Sequence, residues 1–144
     1  MVNKWDLIEK DSKTSDKFKR EILEKLSPID YLPIIFASAL NKQRIFQVIE
    51  KAVQVFDSKT MKVPTGKLND ILLPEIESHP PPSVKGKHIN IKYITQVNAR
   101  FPSFVFFCNL PQYIQPSYER FLENKLRERF EFEGVPLRLI FRKK

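Results

Sequence analysis

Asn3, Lys4 and Asp6 form the pattern Asn-Lys-x-Asp, whose residue types and spacing could recognise a guanine base. A carboxylate at Asp6 can accept hydrogen bonds from both the ring N–H and the exocyclic amine of guanine. Adenine would leave that carboxylate unpaired, and such a mismatch costs much more binding free energy than a lost methylene group. Asn3 can tie neighbouring loops together, and the stem of Lys4 can lie along the base. A four-residue pattern also occurs by chance in polar turns, so the surrounding sequence has to show whether this one binds guanine.

A second polar loop provides that context, because Ser38 and Ala39 directly follow the apolar run 31–37. Backbone N–H groups of such a loop can hold the carbonyl of guanine. The interval between the two patterns has room for one helix and one strand, so both patterns are expected at the C-terminal ends of neighbouring strands, where ligands bind in α/β sheets. The sequence therefore predicts a guanine pocket formed by Asn3, Lys4, Asp6, Ser38 and Ala39.

The parts needed for phosphoryl transfer are missing from the sequence. Only three glycines are present, and none belongs to a phosphate-binding G-x-x-x-x-G-K-[ST] pattern. No Asp-x-x-Gly segment is present to hold magnesium or to position a water molecule. Because phosphoryl transfer depends on these parts, we expect no catalytic residues and no magnesium ligands. We also expect this chain neither to hydrolyse GTP nor to bind it tightly.

Composition narrows the class of protein further. The chain has 144 residues and a net charge of +8, which favours a polyanionic partner such as RNA, although a high isoelectric point alone is the alternative. The single cysteine, Cys108, lies in an apolar run, which indicates a core residue in a reducing, cytoplasmic setting. His79 and His88 lack metal-ligand spacing with it, so no metal site is predicted. No apolar stretch approaches the ~20 residues of a transmembrane helix, so no membrane partner is expected.

The first 58 residues show the helix–strand–helix rhythm of an α/β sheet. Apolar spacing predicts helices over 15–26 and 41–56, and the continuous run 31–37 predicts a strand buried on both faces of a parallel sheet. One strand and a stub cannot form a doubly wound sheet. We therefore interpret residues 1–58 as the trailing piece of a larger domain and expect them to be unstable or to adopt a partial, exposed arrangement. Residues 59–64 are predicted to be a linker.

The remaining residues, 65–144, predict a second domain of a different class. The predicted elements are a helix from Thr65 that Pro74 kinks or shortens, strands over 87–97 and 103–109, a helix over 116–130 and a strand over 135–141. Strict alternation in the first strand would turn Ile91, Tyr93 and Val97 to the same face. The order helix–strand–strand–helix–strand, with helices on one face of the sheet, is an α+β layout.

Several segments of this second domain carry a more specific resemblance. They are Thr65-Gly66-Lys67-Leu68-Asn69, His79-Pro80-Pro81-Pro82, Tyr93-Ile94-Thr95-Gln96-Val97, Phe104-Val105-Phe106-Phe107-Cys108-Asn109, Tyr118-Glu119-Arg120-Phe121-Leu122-Glu123-Asn124 and the ending Phe132-Glu133-Gly134-Val135-Pro136-Leu137-Arg138-Leu139-Ile140-Phe141-Arg142. With Asn-Lys-Trp-Asp at its start, nearly the whole chain resembles the C-terminal end of the bacterial Der (EngA) family of GTPases.

This resemblance implies a fold and a function. Members of the family have two consecutive GTPase domains followed by a KH-like domain, and they act in assembly of the large ribosomal subunit. Residues 1–58 would be the end of the second, P-loop GTPase domain, and residues 65–144 the KH-like domain. The implied cofactor is GTP or GDP, with magnesium in the intact protein. The implied partners are the large ribosomal subunit with its RNA and the protein's own upstream GTPase domains. The G-x-x-G loop with which ordinary KH domains clamp nucleic acid is absent from this sequence and from the family.

Basic side chains of the second domain form the candidate surface for ribosomal RNA. They are Lys87, Lys92, Arg100, Arg120, Arg127, Arg138 and Arg142. Phosphate contacts of this kind would be sensitive to salt. The alternative is an ordinary solvated face, and Arg138 and Arg142 could instead meet the GTPase domain. A different class of function is also open: a stand-alone RNA- or protein-binding KH-like module that carries a remnant of a GTPase.

Overall fold

A computed structural model describes residues 1–9, 11, 13–27, 29 and 31–143. The chain divides into two compact units, Met1–Asp57 and Ser58–Lys144. Lys144, the last residue of the predicted second domain, lies outside the described residues.

The first unit contains two helices and a short parallel pairing. Helix α1 spans Thr14–Leu26, and helix α2 starts at Ile45 and ends at Thr60. Val2 forms a parallel bridge with Phe36. The prediction of a buried strand over 31–37 is therefore correct only at its end: Phe36 and Ala37 are buried, whereas residues 31–35 are half-buried and lie outside any strand. The physical reason is that a ladder with a single short partner segment pairs few backbone groups and covers few side chains.

Helix α2 starts and ends later than apolar spacing predicts. Lys42 and Arg44 have φ angles of 54° and 59°, in the left-handed region, so residues 41–44 form a turn instead of the first helical turn. The helix then continues to Thr60. The first two residues of the predicted linker 59–64 therefore lie in α2.

Helix α2 presents an apolar stripe to solvent. Phe46, Ile49, Val53 and Phe56 follow helical spacing and are all exposed, Phe46 by 80%. Neither α1 nor α2 contains a fully buried residue among those that the structure describes. This agrees with the expected partial, exposed arrangement of the first unit.

The second unit has the predicted order of elements. Its elements are α3 (Thr65–Ser78), β1 (Ile91–Val97), β2 (Ser103–Cys108), α4 (Pro116–Phe130) and β3 (Arg138–Lys143). The sheet order is β1-β2-β3, with β1 antiparallel and β3 parallel to β2. The α+β prediction is confirmed. Pro74 does not shorten α3, which continues to Ser78.

The core lies between the sheet and the helices α3 and α4. The central strand β2 supplies Phe104, Phe106 and Cys108, and these pack with Leu68 of α3 and Leu126 of α4. Cys108 is buried as predicted, and burial raises the pKa of its thiol. A neutral thiol in an apolar core is inert as a nucleophile.

Strand β1 departs from the predicted alternation. The pairing register shifts between Ile91, opposite Cys108, and Tyr93, opposite Phe107. This β-bulge at Lys92 reverses the two faces, since an extra residue interrupts the period of two. Ile94 becomes fully buried, whereas Tyr93 and Val97 are exposed, so the prediction that Tyr93 and Val97 share the buried face with Ile91 was wrong.

Asn69 of α3 caps the backbone of strand β1. Its Oδ1 accepts from the Ile94 N–H at 2.9 Å, and its Nδ2 donates to the Ile94 carbonyl at 2.7 Å and to the Thr65 carbonyl at 2.7 Å. The side-chain amide thus pairs with Ile94 as a neighbouring strand would. It satisfies two backbone groups of a strand that has β2 on its other side.

We expect Asn69→Leu to lower the free energy of unfolding by about 2–3 kcal/mol, because it leaves the Ile94 backbone groups without partners in a buried setting. Chemical denaturation followed by circular dichroism measures the loss. Asn124→Leu, at an exposed position of α4, is the matched control and should change stability by less than about 0.5 kcal/mol. Equal effects of the two substitutions would contradict the capping role.

Candidate functional site: a guanine-recognition corner and basic surfaces

The parallel pairing of residues 2 and 36 brings the two predicted guanine-binding loops side by side. Val2 N–H donates to the Ile35 carbonyl at 2.8 Å, and Ala37 N–H donates to the Val2 carbonyl at 2.9 Å. Trp5 N–H continues the pairing to the Ala37 carbonyl at 3.1 Å. The loops that begin at Asn3 and at Ser38 therefore leave neighbouring chain segments in the same direction, as the sequence predicts.

Asn3 links the two loops directly. Its Oδ1 accepts from the Ala39 N–H at 3.1 Å, across 36 residues of sequence. This is the loop-tying role predicted for Asn3. The Ala39 N–H, which could also meet a guanine carbonyl, is engaged by Asn3 here, so a bound base would have to share or replace that bond.

Trp5 anchors the Asn-Lys-x-Asp turn, a role that the pattern itself does not reveal. The indole is 5% exposed, stacks on Phe36 with ring centroids 4.2 Å apart, and meets Phe18 of α1 edge-on at 5.7 Å. Lys4 precedes it with a φ of 63°, in the left-handed region. The lone tryptophan between two polar residues is the signal that could have indicated this anchor, because burial of such a ring fixes the turn around it.

Ser38 shapes the second loop from within. It is fully buried, its Oγ accepts from the Asn41 N–H at 3.1 Å, and its backbone pairs with Gln43 in both directions, at 3.2 and 2.9 Å. Asn3, Lys4 and Ala39 are exposed, and Asp6 is half-buried. The exposed side of the corner thus combines an amide, a lysine and a backbone turn beside a carboxylate, a set that suits the hydrogen-bonding edge of guanine.

Among the predicted RNA-contacting residues, Arg127 is used inside the second unit. Its Nη1 donates to the Phe132 carbonyl at 2.6 Å and to the Val135 carbonyl at 2.8 Å. Its Nη2 donates to Glu123 at 2.7 Å. The guanidinium therefore holds the chain that follows α4, and few of its five donors remain for a phosphate.

The other six candidates for RNA contact are exposed. They are Lys87, Lys92, Arg100, Arg120, Arg138 and Arg142. They do not form a single cluster on the sheet. Lys92 lies in β1, at one edge, whereas Arg138 and Arg142 lie in β3, at the other edge. The Lys87 ammonium lies 5.6 Å from the centre of the Tyr113 ring, and the Arg100 guanidinium lies 5.5 Å from that of Phe101.

The described residues contain neither a metal-binding cluster nor a membrane-spanning helix. Within residues 1–9, 11, 13–27, 29 and 31–143, no three His, Cys, Asp or Glu side chains converge in a way that could hold a metal ion. In the same part of the chain, no helix is long and apolar enough to cross a membrane.

Comparison with known proteins gives the class to which the fold of the second unit belongs. Residues 62–142 match the family model described as the KH-domain-like, C-terminal domain of EngA bacterial GTPase enzymes. The chain belongs to this family.

Curated proteins that are similar to this chain carry the name GTPase Der. The chain is similar over its full length to GTPase Der of Amoebophilus asiaticus (55% identity), Cytophaga hutchinsonii (54%) and Christiangramia forsetii (49%). In each case it covers 33% of the relative, which is its C-terminal part. The resemblance to the Der (EngA) family predicted from the sequence is confirmed.

Proposed function

We propose that this chain is the C-terminal portion of a cytoplasmic GTP-binding factor that assembles the large ribosomal subunit. The first unit contributes the guanine-recognition corner, and the second contributes a surface for ribosomal RNA. The observation that carries the proposal is the bond from the Ala39 N–H to the Asn3 side chain. This bond joins two loops that are far apart in sequence. It holds the Ser38–Ala39 loop beside the Asn-Lys-x-Asp pattern, where a guanine pocket requires a second loop.

The exposed stripe on α2 supports the proposal that the rest of a GTPase domain packs on the first unit. Phe46, Ile49, Val53 and Phe56 are the kind of contiguous apolar surface that a protein rarely leaves in water. The chain spans about a third of the length of its relatives, so a further part of a related protein is the natural occupant. In that larger protein, phosphate binding, magnesium and hydrolysis come from residues outside this chain.

The second unit supplies the cations for the RNA contact. Lys87, Lys92, Arg100, Arg120, Arg138 and Arg142 are exposed and can reach phosphates. Arg127 is left out of this surface, because its guanidinium holds backbone carbonyls. Contacts of this type add affinity without reading sequence and position the protein on its RNA.

Co-sedimentation of the chain with large ribosomal subunits tests the RNA contact. We expect binding that weakens steeply between about 50 and 200 mM salt, as contacts to several phosphates require. A control with Lys19→Gln, Arg20→Gln and Lys25→Gln, all exposed on α1, removes three charges from the first unit and should bind almost as well. Absence of binding at either salt concentration would contradict an RNA contact by the second unit. Binding whose affinity does not change with salt concentration would favour the alternative of a protein-binding KH-like module.

A further inference from the structure

A cleft lies at the hairpin end of the second unit. One wall is the end of α2 with the chain that joins it to α3, and the other is the end of β1 with the loop between β1 and β2, which includes Arg100 and Phe101. Gln96 holds the two walls together: its Nε2 donates to the Met61 carbonyl at 2.9 Å, and its Oε1 accepts from the Val63 N–H at 2.7 Å. The shape of the cleft is therefore set by hydrogen bonds of the folded chain and does not depend on a bound partner.

The lining of this cleft carries positive charge without compensation. Lys59, Lys62 and Arg100 line it, and no acidic side chain does. None of the three forms an ion pair with a carboxylate in the described part of the chain. Three other cations of the unit are paired: Glu75 pairs with Lys125 and Arg129, and Glu123 pairs with Arg127. Unpaired cations around one depression attract an anion of matching size.

An aromatic ring stands among these cations. Phe101 is 38% exposed, with the Lys59 ammonium 5.9 Å and the Arg100 guanidinium 5.5 Å from its ring centre. An exposed ring of this kind is available to a planar partner. Nucleic-acid-binding proteins combine these two elements, since cations follow the phosphates while unpaired bases stack on aromatic side chains.

We propose that this cleft binds an unpaired segment of RNA, with a base on the Phe101 ring and the flanking phosphates at Lys59, Lys62 and Arg100. The base replaces one of the two cations at the ring face, and that cation moves to a phosphate. The proposal rests on the RNA contact proposed above and names the place where an unpaired strand is held. The exposed Phe101 ring favours RNA over an acidic peptide, because the carboxylates of a peptide would contact only the cations.

Binding of the whole chain to a fluorescent, unstructured RNA of about 12 nucleotides, a length suited to such sites, tests this proposal. The variant Lys59→Gln/Lys62→Gln/Arg100→Gln should bind at least tenfold more weakly. The slope of log K against log salt concentration should become shallower by about 2, because each lost phosphate contact with a single strand removes ~0.7. The control Lys19→Gln/Arg20→Gln/Lys25→Gln makes the same charge change on α1, whose residues do not line the cleft, and should stay within about twofold of the unsubstituted chain, because only cations that contact phosphates release counterions. All six positions are exposed, so circular dichroism should show both variants folded.

The ring is tested separately. Phe101→Leu should weaken binding of the unpaired RNA about fivefold or more, the effect of losing one stacked base, and should leave binding of a duplex of equal length unchanged. The unsubstituted chain could bind RNA while the cleft triple variant binds it as well as the α1 control variant. That result would support an RNA contact by the chain but would contradict its location in the cleft. If the unsubstituted chain binds neither RNA, the proposed RNA contact itself fails. Displacement of the RNA by an equally charged acidic peptide at equal concentration would overturn the assignment of the cleft to RNA.

Discussion

Asp6→Asn should lower GTP affinity by about 10²–10⁴-fold in a protein that extends this chain to the length of its relatives, because a polar site that loses its match discriminates strongly. The Asp6 carboxylate is expected to accept from two donors of guanine. The side chain of asparagine has only one acceptor, its carbonyl oxygen. Its NH2 group would face one of the two N–H donors of guanine. Affinity for a xanthosine nucleotide should rise, since xanthine has a carbonyl where guanine has its amine and can accept from the new amide.

Titration with fluorescent GTP and XTP measures both changes. Asp70→Asn is the matched control, because Asp70 is an exposed carboxylate of α3 in the other unit and the same change of charge should leave GTP affinity as it was. A loss of GTP binding without a gain for XTP would indicate damage to the loop. An unchanged preference for GTP over XTP would contradict the guanine-reading role of Asp6.

Arg127→Met should lower the free energy of unfolding of the second unit by about 2–4 kcal/mol, because it leaves buried acceptors without their charged donor. The guanidinium donates to the carbonyls of Phe132 and Val135, two residues whose own side chains are buried. Methionine fills much of the space of the arginine stem, so the loss reports the hydrogen bonds more than the packing. The chain after α4 turns at Glu131, in the left-handed region, and depends on these bonds for its path to β3.

Denaturation of Arg127→Met beside Arg120→Met provides the measurement and its control. Both arginines lie on α4, and both were predicted to contact RNA, but Arg120 is exposed. We expect Arg120→Met to change stability by less than about 0.5 kcal/mol, as substitutions on an open surface do. If Arg127→Met instead unfolds like the unsubstituted chain and binds large ribosomal subunits more weakly, the sequence-based assignment of Arg127 to the RNA surface is restored.

Local patterns predicted the order of the elements well. The apolar spacing of α4 and the proline at its first turn gave its bounds as the structure has them, Pro116–Phe130. The order helix–strand–strand–helix–strand followed in the same way, because periodicity and turn residues act over a few neighbours along the chain. The neighbouring placement of the loops that begin at Asn3 and Ser38 was predicted in the same way, whereas their binding of guanine stays a prediction.

Contacts between distant residues were not predictable from such patterns. Asn69 looks like an ordinary helix residue, yet it caps Ile94, 25 positions away. Arg127 looks like a surface cation, and only the path of the following chain shows that it is committed to two carbonyls. Nothing in the alternation of β1 signals the bulge at Lys92, because a bulge depends on how the partner strand pairs.

The sequence by itself therefore determined the class and the order of elements of the second half, and it supplied the residue types of the candidate guanine corner. Tertiary structure alone decided which polar side chains face solvent and which support the fold, as Arg127 and Arg120 illustrate on one helix. It also decided that Lys59, Lys62, Arg100 and Phe101 meet around one cleft. The physical reason is that helix and strand formation depend on neighbours along the chain, whereas burial, charge pairing and capping depend on what the fold brings close in space.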